Sequence, residues 1–203
     1  MKLLATTKIR KFTRPSLQLR DRSHSAFLVW GISGIALTIP QSGILARSTS
    51  VSIEVVLLIL FACLAASFCV VMLTKTLTGR ETLTFYHHLI SSAFVTFLIA
   101  RALGEPVLPY LDLTVLGLGL ILACGRIGCL MAGCCHGRPS AWGIQYSHLH
   151  VDEGFPPYLC GVTLLPVQFF ESIYALCLVG AGITMVLRHA TAGNGLECLF
   201  SRL

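Results

Sequence analysis

Long stretches of this chain carry almost no charge, and that feature restricts the fold more than any other. They run from Val55 to Leu73, Leu83 to Ala100, Leu113 to Cys124 with an extension to Ala132, and Leu164 to Leu187. Each is near the ~20 residues needed to span a hydrocarbon core. Of the 203 residues, 55% are hydrophobic and 12% charged, where a soluble domain carries about a quarter charged residues. A soluble fold of this size would leave too much apolar surface in water. The expected fold class is all-α: a polytopic integral membrane helical bundle with four to five spans. The fifth candidate, Phe27 to Ala46, is diluted by Gly31, Ser33, Gly34, Thr38, Pro40, Gln41 and Ser42. Its insertion is less favourable than that of any other run. It is therefore expected not to cross, or to cross only as a broken or re-entrant element.

Residues 1–26 hold Lys2, Lys8, Arg10, Lys11, Arg14, Arg20 and Arg22 against the single acid Asp21. Such a flank reads as a basic cytoplasmic arm facing anionic lipid; an Arg- and Ser-rich, acid-poor start is also shared by organelle transit peptides. Residues 27–203 read as a single helical membrane domain with a loop at 136–163. The formal charge of +6 then reflects topology and headgroup attraction. No basic patch is interleaved with aromatics, so no nucleic-acid partner is expected. Positive-inside counting does not separate five spans from four, because 11 of the 15 Lys and Arg fall inside in either case.

The stretch with the most chemistry is Cys124-Gly-Arg-Ile-Gly-Cys129-Leu-Met-Ala-Gly-Cys134-Cys135-His136-Gly-Arg-Pro139. An arginine closing a long apolar run is costly in lipid unless it faces water, a carboxylate or a headgroup phosphate. If the segment stays helical, Gly133 and Gly137 fall within about 20° of Arg126. Glycines on that face leave a groove in which the guanidinium can grip a phosphate with its planar fork. The other reading is a snorkelling interfacial arginine whose glycine neighbours allow close helix packing. Cys129, Cys134, Cys135 and His136 are soft-metal and redox ligands, although structural zinc sites more often pair two distant motifs. Cys63, Cys69 and Cys177 read as small packing residues. In the loop, His148, His150, Asp152 and Glu153 are expected in solvent, bracketed by Trp142, Tyr146, Phe155 and Tyr158 as interfacial aromatics.

Gly125-Arg126-Ile127-Gly128, Gly133 and Gly137-Arg138-Pro139 resemble the signature of the bacterial prolipoprotein diacylglyceryl transferases. Tyr86-His87-His88-Leu89 lines up with that family's His-Gly-Gly-Leu segment, Asp112 with a family aspartate, and Pro166-Val-Gln168-Phe-Phe-Glu171 with its Pro-Ser-Gln-Leu-Tyr-Glu. The similarity covers Thr82 to Tyr174. It implies diacylglycerol transfer from phosphatidylglycerol to the lipobox cysteine of a prolipoprotein, in the bacterial inner membrane. No cofactor and no metal are implied. The residues it carries over for substrate binding are Arg126, Gly128, Gly133, Gly137, Arg138, Gln168 and Glu171. For catalysis it points to Arg126 on the departing phosphate, with Tyr86 or His87 as proton acceptor. Tyr86 stands where the family has its proposed catalytic histidine, Cys129 where it has asparagine, and Cys134 where it has glutamate. The family's last span, with its arginine and glutamate, has no counterpart before Leu203, so a divergent, truncated relative is expected. Two alternatives stay open: a non-catalytic lipid- or partner-binding relative, or a thiol or metal membrane protein using Cys129, Cys134, Cys135 and His136. In the four-span arrangement Arg126 reaches the outer leaflet, where the family acts, and Cys134 or Cys135 can pair with Cys160.

Overall fold

The computed structural model describes residues 13–19, 22–49, 51–79 and 85–200. Most of the basic arm, Arg20 included, lies outside them, as do Arg80 and Arg202. Five helices follow one another: α1 (Ala26–Ser48), α2 (Ile53–Thr78), α3 (Phe85–Leu103), α4 (Val107–Ala132) and α5 (Val167–Phe200). Two small antiparallel sheets accompany them, β1 (Ser16–Leu19) with β2 (Arg22–Ser25), and β3 (Pro139–Gln145) with β4 (Thr163–Leu164). The protein is an all-α, multi-pass membrane protein. Four helical segments are long and apolar enough to cross a bilayer: Ala26–Ser48, Ile53–Thr78, Val107–Ala132 and Val167–His189.

The helices differ from the sequence expectation at two places. The run from Phe27 to Ala46 lies within one continuous helix of 23 residues, about 34 Å long at 1.5 Å per residue, and is not broken at Pro40. Proline inside a membrane helix is tolerated where neighbouring helices support the segment. Here α4 gives that support. Gly34 leaves room for Ile121 and Cys124, whose atoms would lie 3.0–3.1 Å from an added Cβ. Conversely, α3 is a full 19-residue helix but is not one of the four. Tyr86, His87, His88, Ser91, Ser92 and Arg101 make it too polar.

Backbone contacts divide the chain into two compact units, Met1–Ala36 with Leu120–Cys177, and Leu37–Gly119 with Leu178–Leu203. In the second unit the core joins Leu45, Val56, Ile59, Cys63, Ala100, Tyr110 and Leu113. Its helices are tied by polar groups that would otherwise be stranded in an apolar medium. Thr96 Oγ1 lies 3.0 Å from Thr114 Oγ1, Cys63 Sγ lies 3.6 Å from the Ser92 carbonyl, and the Thr38 hydroxyl donates to the Gly117 carbonyl at 3.2 Å. Bonds of this kind contribute about 0.6 kcal/mol each in membrane bundles. Gly117 and Gly119, inside α4, make room for Thr38 and Val179. Helix α2 stops where Gly79 turns left-handed at φ 66° and donates to the Lys75 carbonyl, a frequent helix terminator.

In the first unit α1 and α4 run side by side at close range. A Cβ on Gly128 would stand 3.1 Å from Phe27 Cα and 3.2 Å from Trp30 Cβ. The Ser172 hydroxyl fastens α5 to α4 by donating to the Ala123 carbonyl at 2.9 Å. The segment between α4 and α5 is itself folded. It carries β3, a 3-10 turn at His148–Glu153, another at Pro157–Leu159, and β4, closed around Leu130, Ile144, Tyr146, Phe155 and Leu164.

Candidate active site

Helix α4 delivers Arg126 to its last two turns, and α5 brings Glu171 opposite it. Arg126 Nε lies 3.1 Å from Glu171 Oε2, with side chains 26% and 43% exposed. The contact is an ion pair and not an aligned hydrogen bond, since Oε2 is out of water and has no hydrogen-bond partner. A pair this exposed contributes little to stability. Its consequence is positional, because only the Nε edge of the guanidinium faces the carboxylate. One turn before Glu171, Gln168 is fully buried and donates from Nε2 to the Cys134 carbonyl at 2.6 Å. Its Oε1 is buried without a partner.

The glycine-lined helical face does not form, because α4 ends at Ala132. Gly133 turns left-handed at φ 85°, and its amide donates to the Cys129 carbonyl at 2.9 Å. The space beside it is filled: an added Cβ would meet Phe155 Cδ2 at 3.1 Å and Tyr146 Cδ1 at 3.2 Å. At Gly137 the neighbours are Val167 Cγ2 at 2.6 Å and the Leu165 carbonyl at 2.8 Å. Gly128, Gly133 and Gly137 thus act here as close-packing positions, and Gly125, with nothing within 4 Å of an added Cβ, is the open one near Arg126. Arg138 is exposed, and its carbonyl accepts from the Leu165 amide at 3.1 Å.

Residues 49–200 match the family described as prolipoprotein diacylglyceryl transferase. The chain belongs to that family. A phosphatidylglycerol-prolipoprotein diacylglyceryl transferase of Clostridium tetani is 33% identical over 93 residues, covering 46% of this chain and 36% of the relative. A second, from Clostridium perfringens, is 42% identical over 72 residues, 36% of this chain and 27% of the relative. One from Dehalococcoides mccartyi is 38% identical over 68 residues, 34% and 25%. The matched segments span about a third or less of these curated relatives. No solved structure matches the chain.

Of the positions carried over from the diacylglyceryl transferases, Arg126, Gly128, Gly133, Gly137, Arg138, Gln168 and Glu171 all belong to the first unit, while Tyr86 and His87 belong to the second. Tyr86 and His87 are exposed at the start of α3. Asp112 lines an open cleft of about 580 Å³ in the second unit, with Leu113, Leu116, Val186 and His189.

The sequence reading missed the order within the connecting segment. His150, Tyr146 and Phe155 were expected at the surface, and all three are buried. His150 Nδ1 accepts from the Ser147 amide at 3.3 Å, and its ring meets Tyr146 edge-on at 5.1 Å. The Tyr146 hydroxyl donates to the Leu130 carbonyl at 3.0 Å. The available signal was the alternation of Ile144 and Tyr146 after Gly143, with Phe155 following Gly154. His136 is turned away from the cysteines, with Nδ1 3.0 Å from the Gly137 carbonyl and its ring against Phe155. Cys63, Cys124, Cys129, Cys134, Cys135 and Cys160 are all free thiols, so the expected pairing with Cys160 is not formed.

Burial holds the His150 imidazole below its ordinary value of 6.5. The unfolded segment therefore binds a proton at a higher pH than the folded one. Its stability is complete above ~6.5 and falls as the pH drops toward the folded value. Protease nicking within residues 139–164 is expected to rise between about pH 7 and pH 5. His150→Gln, which does not titrate, should flatten that dependence; an unchanged profile would remove His150 as its source.

Proposed function

We propose that this chain transfers diacylglycerol from phosphatidylglycerol to the lipobox cysteine thiol of a prolipoprotein, in the bacterial inner membrane. The observation that carries the reading is Arg126 in the last turns of a membrane helix, held through Nε by Glu171, in a chain of this family. A cation kept at that depth has a use there. With one edge on the carboxylate, the remaining guanidinium N–H groups suit the phosphate of a lipid headgroup.

In the reaction the acceptor thiol loses its proton, and sulfur attacks the glycerol carbon bearing the phosphate. A C–S bond forms, the C–O bond to phosphate breaks, and glycerol phosphate departs with the negative charge that Arg126 offsets. The resemblance to the family assigns the thiol proton to Tyr86 or His87, exposed at the start of α3. Gln168 fixes the turn after α4, Gly133, Gly137 and Arg138 shape it, and Gly128 brings α4 close to α1. A second reading, lipid binding without transfer, is favoured by Tyr86, Cys129 and Cys134 standing at positions where the family resemblance places other residues.

The experiment is a transfer assay with the purified full chain in phosphatidylglycerol vesicles and a lipobox peptide. Expected is a peptide gaining diacylglycerol in thioether linkage, absent from phosphatidylcholine vesicles. Binding to phosphatidylglycerol without product would replace the transferase reading by the lipid-binding one.

A further inference from the structure

Cys129 sits in the last turn of α4, and the chain then reverses through Gly133 at φ 85° and Cys135 at φ 54°. Cys135 is the one non-glycine residue with positive φ among the described residues. Residues with a β-carbon other than Asn and Asp rarely take that conformation, so the surroundings hold it there. Its result is a convergence: the Sγ atoms of Cys129, Cys134 and Cys135 all lie within 4.8 Å of one another. Thiolates about 2.3 Å from a common metal stand roughly 3.8 Å apart in a tetrahedron and about 4.0 Å apart in a plane. Shifts of less than ~1 Å close the set onto one ion.

We infer that Cys129, Cys134 and Cys135 form a three-thiolate site for a soft, thiophilic cation, Zn²⁺ or Cu⁺. Thiolate donors select these ions over Mg²⁺ or Ca²⁺. Burial grades from Cys129, buried, through Cys134 to Cys135, exposed, which gives the ion a way in and leaves a fourth position facing outward. The Arg126 guanidinium acts electrostatically on both Cys134 and Cys135 and offsets the negative charge that three thiolates gather. Gln168 pins the turn through the Cys134 carbonyl at 2.6 Å, and its own Oε1, buried and unpartnered, leaves a polar acceptor beside the site. No other set of three His, Cys, Asp or Glu donors converges among the described residues. Binding exchanges thiol protons for the cation and changes no oxidation state. The site is independent of the transferase reading, since its test reads bound metal and not transfer.

The test uses the purified full chain in detergent micelles, reduced and stripped with a chelator. It is then loaded separately with Zn²⁺ and with Cu⁺ against chelators of graded affinity, with Co²⁺ as a spectroscopic stand-in. Expected are one equivalent of Zn²⁺ or Cu⁺ retained per chain and a thiolate-to-Co²⁺ charge-transfer band. Cys135→Ser, at the exposed edge, should weaken binding at least ~100-fold, since even an outer-shell partner is worth ten- to a hundredfold. Cys69→Ser and Cys177→Ser should leave binding unchanged. The inference is overturned if neither cation is retained, if Cys135→Ser binds as tightly as the parent, or if protein isolated without reductant carries a disulfide within the trio.

Discussion

Arg126→Lys is expected to lower diacylglyceryl transfer by roughly ten- to a hundredfold although the positive charge is kept. A hydrogen bond to a charged partner contributes about 1.5–3 kcal/mol, and each 1.4 kcal/mol is about a decade in rate. Arg126 faces Glu171 through Nε at 3.1 Å, so its remaining N–H groups are free to form a planar fork on a phosphate. A lysine has one ammonium for both tasks. Paired with Glu171 it turns from the lipid, and turned to the lipid it leaves the buried Glu171 Oε2 without a counter-charge. The measurement is initial rate in the vesicle assay, with circular dichroism to show that the helices are retained. Equal rates for Arg126→Lys and the parent would reject the phosphate-binding role.

How much of this is legible in the sequence differs sharply between helix and loop. The positions of α2, α4 and α5 follow from the absence of charge, because water-free surroundings leave a helix as the economical way to satisfy the backbone. Two helices depart from the expectation for different reasons, α3 through its own polar residues and α1 through its partner. What decides whether Gly34, Thr38 and Pro40 are tolerated is the helix packed against them, seen here in the tight approach of Gly34 to Ile121 and Cys124. A single-segment reading does not contain the partner. At the site, Arg126 and Glu171 were legible as chemistry, and their separation of 3.1 Å required a fold. The helical projection of Gly133 and Gly137 failed because it assumed a helix that stops at Ala132. The glycines are real constraints, yet they admit Tyr146, Phe155, Leu165 and Val167 where a lipid groove was expected. His150 was misread for the same reason, since burial of a polar loop residue depends on the small core that closes over it.

That small core sets the other large effect. Gly143→Ala is expected to cost about 3 kcal/mol or more of folding stability in the segment between α4 and α5. Two penalties of about 1–3 kcal/mol each combine, backbone strain and overpacking. Gly143 has φ 147°, and an added Cβ would collide with the Leu164 carbonyl oxygen and stand 2.8 Å from its carbon. Backbone cannot swing aside as a long side chain can. Leu164 is 1% exposed in the core, and the next residue is held from both sides, its amide donating to the Arg138 carbonyl at 3.1 Å and its carbonyl accepting from Gly137 at 3.0 Å. The pairing of β3 with β4 must open. Gly154→Ala separates the two causes, because Gly154 also has positive φ, at 93°, but an added Cβ meets nothing within 4 Å. It should lose only the strain, ~1 kcal/mol. Limited proteolysis of residues 139–164 is the readout, and equal nicking of the two variants would show that the contact with Leu164 contributes nothing. Gln168 follows β4 by four residues and holds the Cys134 carbonyl. Gly143→Ala should therefore also slacken the turn that carries the cysteines, reducing their metal retention without touching any of them.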